Sequence, residues 1–259
     1  TSAIGVGQTM LLLWGFRLER TGARITIRHG LFTRQTIEIE ASRVQALRLQ
    51  QSVLQQLLGR GSGFGEVVGH SDAKGRSSEM FPWVRRDEFD GFVARFVPEL
   101  AETVRVERPP TRALPRFVVW PTLSAFVVGA LVCGFVWIRK ESWLGALAWI
   151  AVPLALVHGV IAHRQTGAGA EGRTLRIENR TLVSRNIVLL PRRAVRASSS
   201  VMNPLQRWRR LADLQILVAA GARGRSFRAA NLDAPWASVL IAWATPSSAN
   251  VGRMQSAHS

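Results

Sequence analysis

The chain has 259 residues, is 47% hydrophobic and carries a formal charge of +17, a length that admits one large domain or two small ones. Only Lys74 and Lys140 are lysines, so the positive charge is almost wholly arginine, whose planar fork suits phosphate and other anionic surfaces. The single cysteine, Cys133, lies in an apolar run, which excludes an internal disulfide and a Cys-x-x-Cys metal or redox site.

The chain opens at Thr1. The run "MLLLWGF" at Met10 to Phe16 ends an apolar stretch too short to cross a bilayer alone, so residues 1–16 read as the tail of an upstream membrane helix or as an artificial chain end. From residue 17, Ile25 and Ile27, then Ile37 and Ile39, alternate with polar residues around the turn "RHGLFT", which predicts antiparallel strands in a meander. A short helix is expected in "SVLQQLLGR", opened by the cap residue Ser52, and more strand at "GEVVGH". Phe89, Phe92, Val93, Phe96 and Val97 have the spacing of an amphipathic helix starting near Asp87, and the unit closes at residue 100.

Residues 101–116 form a basic linker with Arg105, Arg108, Arg112 and Arg116. Residues 117–138 and 143–162 are two uncharged apolar runs; at ~1.5 Å per residue the first spans about 33 Å, enough for a bilayer core. With only "RKES" between them, they predict a two-helix transmembrane hairpin, with candidates for the interfacial belts among Trp120, Trp137, Trp143 and Trp149. Both outer flanks are basic and the turn holds only Arg139 and Lys140, so the positive-inside rule places both flanking domains in the cytoplasm of a multi-pass cell-membrane protein.

A linker is expected at 163–172, a second domain at 173–246 and a disordered tail at 247–259. In the second domain Leu175, Ile177, Val188 and Leu190 repeat the strand pattern, "NPLQRWRRL" repeats the short helix behind Asn203 and Pro204, and "LQILVA" repeats the later strand. Trp236, Val239, Leu240, Trp243 and Ala244 repeat the closing helix, with Asp233-Ala234-Pro235 at its start. At an offset of 151, Arg34 falls on Arg185, Ile39 on Leu190, Val44 on Val195 and Gln55 on Gln206, the mark of a duplicated unit.

The phrases "GLFTRQTIEIEASRVQALRLQQSVLQQLLGR" and "LVSRNIVLLPRRAVRASSSVMNPLQR", with this order of elements, resemble the bacterial pleckstrin-homology-like domains of YdbS/YdbT-type membrane proteins. The likeness covers about residues 17–100 and 172–246 and includes the intervening hairpin. It implies a mostly β, α+β fold: two PH-like partial barrels, each plugged by a C-terminal helix. The second copy departs from the first at the corner, with "RWRRLADL" where the first has "LLGRGSGF".

Motifs for chemistry are wanting. "GRGSGFGEVVG" fails the spacings of the dinucleotide and Walker loops, and its glycines read as a tight corner or a close backbone approach in a strand. The five histidines are scattered, and "ASSS" at Ala197 to Ser200 lacks a nucleophile elbow and reads as a strand-to-loop connection. His158 reads as an interfacial residue of the second membrane helix.

The basic excess is concentrated after the hairpin, where residues 163–259 hold 15 arginines against 4 carboxylates. Arg192, Arg193 and Arg196, with Arg207, Arg209 and Arg210, are the candidates for contact with an anionic surface. The expectation is a non-enzymatic, cofactor-free membrane protein whose cytoplasmic domains bind a partner protein or anionic headgroups. Its partners are membrane lipids and a membrane protein or a second copy; nucleic acid is not expected. The alternative is a transporter or channel component, with Pro121, Pro153 and His158 lining a path.

Overall fold

The structure is a computed structural model that describes residues 17–29, 35–67, 78–138, 148–219 and 224–245. The expectations for residues 1–16, for the hairpin turn and the first residues of its second helix, and for the C-terminal tail lie outside the described residues; Trp149 and Ile150, expected inside that helix, form a turn before it starts at Ala151.

The first unit runs β1 (Arg17–Thr21), β2 (Arg24–His29), β3 (Gln35–Glu40), a 3-10 turn (Ala41–Arg43), β4 (Val44–Ser52), α1 (Val53–Leu57), β5 (Arg60–Val67), β6 (Ser78–Arg85) and α2 (Phe89–Phe96). The hairpin is α3 (Leu114–Ile138) and α4 (Ala151–Gln165). The second unit runs β7 (Gly167–Glu171), β8 (Thr174–Arg180), β9 (Ser184–Pro191), a 3-10 turn (Arg192–Ala194), β10 (Val195–Val201), α5 (Pro204–Trp208), β11 (Leu211–Val218), β12 (Arg225–Asp233) and α6 (Ala234–Ala244). The order of elements in the two units is the same. Strand β7 falls inside the stretch read as the 163–172 linker, and "ASSS" lies within β10 and not in a strand-to-loop connection.

The sheets are three: β1-β2-β3, β10-β11-β12, and a six-stranded sheet in the order β6-β5-β4-β9-β8-β7. The central pair of the long sheet joins the units, β4 running antiparallel to β9 with Leu47 opposite Leu189 and Leu49 opposite Ile187. None of the three sheets closes into a barrel; each unit is a partial barrel of two packed sheets. Alternation along β9 sends its side chains to two cores: Ile187 and Leu189 pack with Ile25, Leu47, Phe81 and Phe89, while Val188 and Leu190 pack with Leu175, Ile216 and Leu240.

Helix α2 plugs the first core with Phe89, Val93 and Phe96; Val97 follows it as the C-cap. In α6 the buried stripe is Ala237, Leu240 and Ala244, with Ile241 packed beside it. Val239, expected on the inner face, is 53% exposed, because the stripe that docks lies one position further round the helix. The glycines of β5 answer the test set by "GRGSGFGEVVG": a Cβ on Gly63 would lie 1.6 Å from the Phe81 ring, and one on Gly65 2.2 Å from the Met80 sulfur. They let β6 side chains lie across the strand.

Helices α3 and α4 run antiparallel. Gly159 of α4 meets the backbone of Phe117 and Val118, where a Cβ would come within 2.4 Å of a carbonyl oxygen, and further along Gly129 approaches Ala148. The stretch Thr111–Val136 is long and apolar enough to cross a membrane, with mean hydropathy 2.0, and the protein buries almost none of it. Helix α3 begins three residues earlier than the apolar run, because Pro110 and Pro115 favour a helix start there. Helix α4 ends three residues beyond the apolar run, with His163 and Arg164 in its last turn and the Thr166 hydroxyl donating to the Ala162 carbonyl at 2.8 Å. The linker before α3 is tied down: Glu107 and Ala168 exchange two backbone hydrogen bonds of 3.1 Å across β7. Gly167 and Gly169 make room for it, since a Cβ on Gly169 would sit 2.0 Å from the Arg105 carbonyl oxygen.

Candidate membrane-facing site

The short helices α1 and α5 are built alike. Ser52 and Asn203 each accept from the backbone of the residue three on, and Gln55 and Gln206 each return a bond to the cap backbone, so two orphan amides are satisfied at each start. Their apolar side chains point out: Val53, Leu54 and Leu57 of α1 and the following Leu58 are exposed, as are Val201, Met202, Leu205 and Trp208 at α5. The β8–β9 turn adds Leu182 and Val183, and the Val53 amide donates to the Val183 carbonyl at 3.1 Å. Scattered exposed apolar residues need no explanation, but these form contiguous tips.

Three contacts set the tips around the root of the hairpin. Arg180 on β8 donates to Gln56 Oε1 of α1 at 2.6 Å and to Gln165 Oε1 of α4 at 2.8 Å. Arg116 of α3 donates to Asn203 Oδ1, the α5 cap, at 3.1 Å. His158 Nε2 lies 3.1 Å from the Thr181 carbonyl. His158 precedes Gln165 by seven residues, so at 1.5 Å per residue the β8–β9 turn reaches ~10 Å up the hairpin from its root. Leu182 and Val183 therefore stand beside the helices, about two turns from their root.

The six arginines singled out from the sequence do not come together. Arg192 donates to the Thr245 carbonyl and lies over the Trp243 ring; Arg193 is paired with Glu99 and donates to the Ser42 carbonyl, bridging the units. Arg196 is exposed on β10. Around α5, Arg207 and Arg210 are exposed, Arg210 in the left-handed region at φ 52, while Arg209 lies over Trp208 and donates to the Arg112 carbonyl at 3.1 Å. Only the α5 group borders the hairpin root.

The residues brought together there are others: Arg116, Arg180, Arg228, Asn179 and Asn203 line a cleft of about 650 Å³ whose apolar lining includes Phe117, Trp120 and Pro121. Arg116 was legible only as a linker charge, and Arg180 was not singled out by any motif.

Deeper in, two buried carboxylates are held by arginines. Glu178 is buried and receives Arg108, Arg176 and Arg185 at 3.0, 3.0 and 2.9 Å. Burial pushes its carboxyl up, and the three guanidiniums together hold it below the ordinary carboxylate range. Glu66 of β5 pairs at 2.8 Å with Arg225 of β12, a bond between the units. Nearby Arg48 is lowered to about 10 by burial and by Arg225, partly offset by Glu66. Among the described residues no three His, Cys, Asp or Glu side chains gather as a metal site.

The profile of the bacterial PH domain matches residues 5–62. Over that stretch the chain is similar to the bacterial PH domain. The resemblance to bacterial PH-like domains is borne out, and the described part of the matched stretch runs from β1 through α1 into β5. A second comparison finds the chain 21% identical over 181 residues to the UPF0699 transmembrane protein YdbT of Bacillus subtilis (strain 168), an alignment that takes in 69% of the chain. The chain spans about a third, 36%, of that relative's length. No solved structure matches the chain.

Proposed function

We propose that the chain is a non-enzymatic membrane platform in which the α3/α4 hairpin holds two copies of one PH-like domain against the cytoplasmic face of a bilayer. There they engage anionic lipid and present their outer surfaces to a partner protein. The observation that carries the reading is the ring of outward apolar tips at the hairpin root, with Leu57 80% and Trp208 78% exposed. In water such side chains gain nothing from their position; in an interfacial layer their burial is favourable by about 25 cal/mol per Å². Arg207, Arg209 and Arg210 flank the α5 tip and add attraction to anionic lipid, each about 1 kcal/mol near the surface. The shared order of elements and the matching caps at Ser52 and Asn203 support the duplication. The basic flanks of the hairpin support the cytoplasmic side.

The test uses the full chain, because β4 and β9 share one sheet and cutting between the units exposes apolar edges on both. In alkaline carbonate the wild-type chain should stay with the membrane pellet, and a thiol-specific reagent added outside intact cells should not reach cysteines placed at Ser42 or Ser199. Extraction by carbonate, or labelling from outside, sinks the reading.

A further inference from the structure

We propose that the cleft between the hairpin root and the second unit holds the headgroup of one anionic phospholipid, its phosphate seated between the guanidiniums of Arg116 and Arg180. The inference rests on the membrane reading above and adds to it a ligand class and a site. The cleft, about 650 Å³, lies in the size range of small-molecule sites. Its polar wall carries positive charge without matching carboxylates. Arg116 bonds the amide oxygen of Asn203, and Arg180 bonds those of Gln56 and Gln165. Amide oxygens orient a guanidinium but leave its charge uncompensated, and among the described residues neither arginine makes an ion pair. Arg228, on the same cleft, is matched by Asp213. Burial also disfavours the charged form of Arg180, a cost that an anion at hand would relieve.

The apolar wall decides between a lipid and a free anion. Phe117, Trp120 and Pro121 offer an inorganic phosphate nothing. They continue onto the exposed Trp120, Leu123 and Val127, which follow one another at helical spacing down α3 and form a track for an acyl chain. The His158–Thr181 contact places the polar wall at headgroup depth, so one molecule with a phosphate and a chain meets both walls together.

The test uses the full chain purified in mild detergent with equimolar phosphatidylglycerol and phosphatidylcholine, bound lipid being counted by native mass spectrometry. The wild type should retain a single phosphatidylglycerol in preference to phosphatidylcholine by roughly tenfold. The variant Arg116→Gln/Arg180→Gln should lose the preference. Ala230→Trp, which fills the cleft and removes no charge, should lose it as well, and guards against misfolding of the charge variant. Arg24→Gln/Arg43→Gln, exposed on the first unit and outside the lining of the cleft, should keep it. Equal retention of both lipids by the wild type, survival of the preference in the double variant and in Ala230→Trp, or displacement by millimolar inorganic phosphate each overturns the proposal. Failure of the membrane reading looks different: the chain leaves the membrane in carbonate and carries lipid of neither kind.

Discussion

Strands β4 and β9 pair at the centre of the molecule; strands β3 and β10, their counterparts at the 151-residue offset, pair among the described residues only within their own sheets. Leu47 opposes Leu189 at the joint. A two-fold relation between the units would set the equivalent residues, Ser198 and Glu38, opposite each other in the same register, but β3 pairs only with β2, and β10 only with β11. The side chains at the two places differ. Ile187 and Leu189 of β9 become Thr36 and Glu38 in β3; Leu47 and Leu49 of β4 become Ser198 and Ser200 in β10. One arm of a near-symmetric pair is glued by apolar residues, and the other is kept apart by polar ones, the usual protection of a free edge.

The sharpest way to break the comparison is to exchange its chemistry. Leu189→Glu places an unpaired carboxylate among the side chains of the first core, where Leu189 is 2% exposed, and should cost more than ~4 kcal/mol or prevent folding. Glu38→Leu, the reverse change at the open edge, should alter stability by less than about 0.5 kcal/mol but raise self-association, since it removes an edge charge. Thermal unfolding in detergent and size-exclusion chromatography read the two outcomes, and equal destabilisation by both would show that the joint has no special apolar role.

Next in size is the Glu178 cluster, which β9 shares through Arg185. Glu178→Gln leaves three guanidiniums around a neutral group and should cost ~3–5 kcal/mol, whereas Glu38→Gln, breaking the exposed pair with Arg24, should cost about 0–1 kcal/mol. The same carboxyl predicts a pH dependence. Its folded pKa is depressed, so its contribution is full above the unfolded value of about 4.3 and is lost as pH falls through the lower folded value. The wild type should therefore lose stability in that acid range more steeply than Glu178→Gln, as followed by thermal melts; parallel profiles would contradict the assignment. Below these effects lies Gly63→Val, where the new side chain meets Phe81 next to the joint; overpacking of this kind costs about 1–3 kcal/mol, visible as a lowered midpoint with an unchanged denaturant slope.

Much of this architecture was readable because it depends on local signals: period-2 alternation in β2 and β3, the caps at Ser52 and Asn203, the apolar stripe of α2. The joint was not, because a strand pair between residues about 140 apart leaves no local mark. It did leave one in composition. Ile187-Val188-Leu189-Leu190 is apolar at every position, as a strand buried on both faces must be, while Thr36-Ile37-Glu38-Ile39 alternates as a half-exposed one does. The basic cleft escaped notice for another reason. Arg116 and Arg180 are 64 residues apart, belong to no basic run, and line one cleft only once α3 and β8 are folded together. The outward side chains of α1 and α5 were hidden because a short helix next to strands is ordinarily assumed to pack inward.

The caps give the finest probe. Ser52→Ala and Asn203→Ala each remove an acceptor from a backbone amide, a loss of about 1 kcal/mol for such residues. Their surroundings differ, however. Ser52 is opposite Ser184 at the end of the joint, so its helix is also held by β9, while Asn203 follows the free strand β10 and orients Arg116 across the cleft. Ser52→Ala should therefore lower stability and leave lipid retention unchanged. Asn203→Ala should lower stability by a similar amount and also weaken phosphatidylglycerol retention, because Arg116 loses its only oriented partner among the described residues. Identical lipid retention in the two variants would mean that Arg116 is positioned by its helix alone, and that the asymmetry of the strands does not extend to the site beside them.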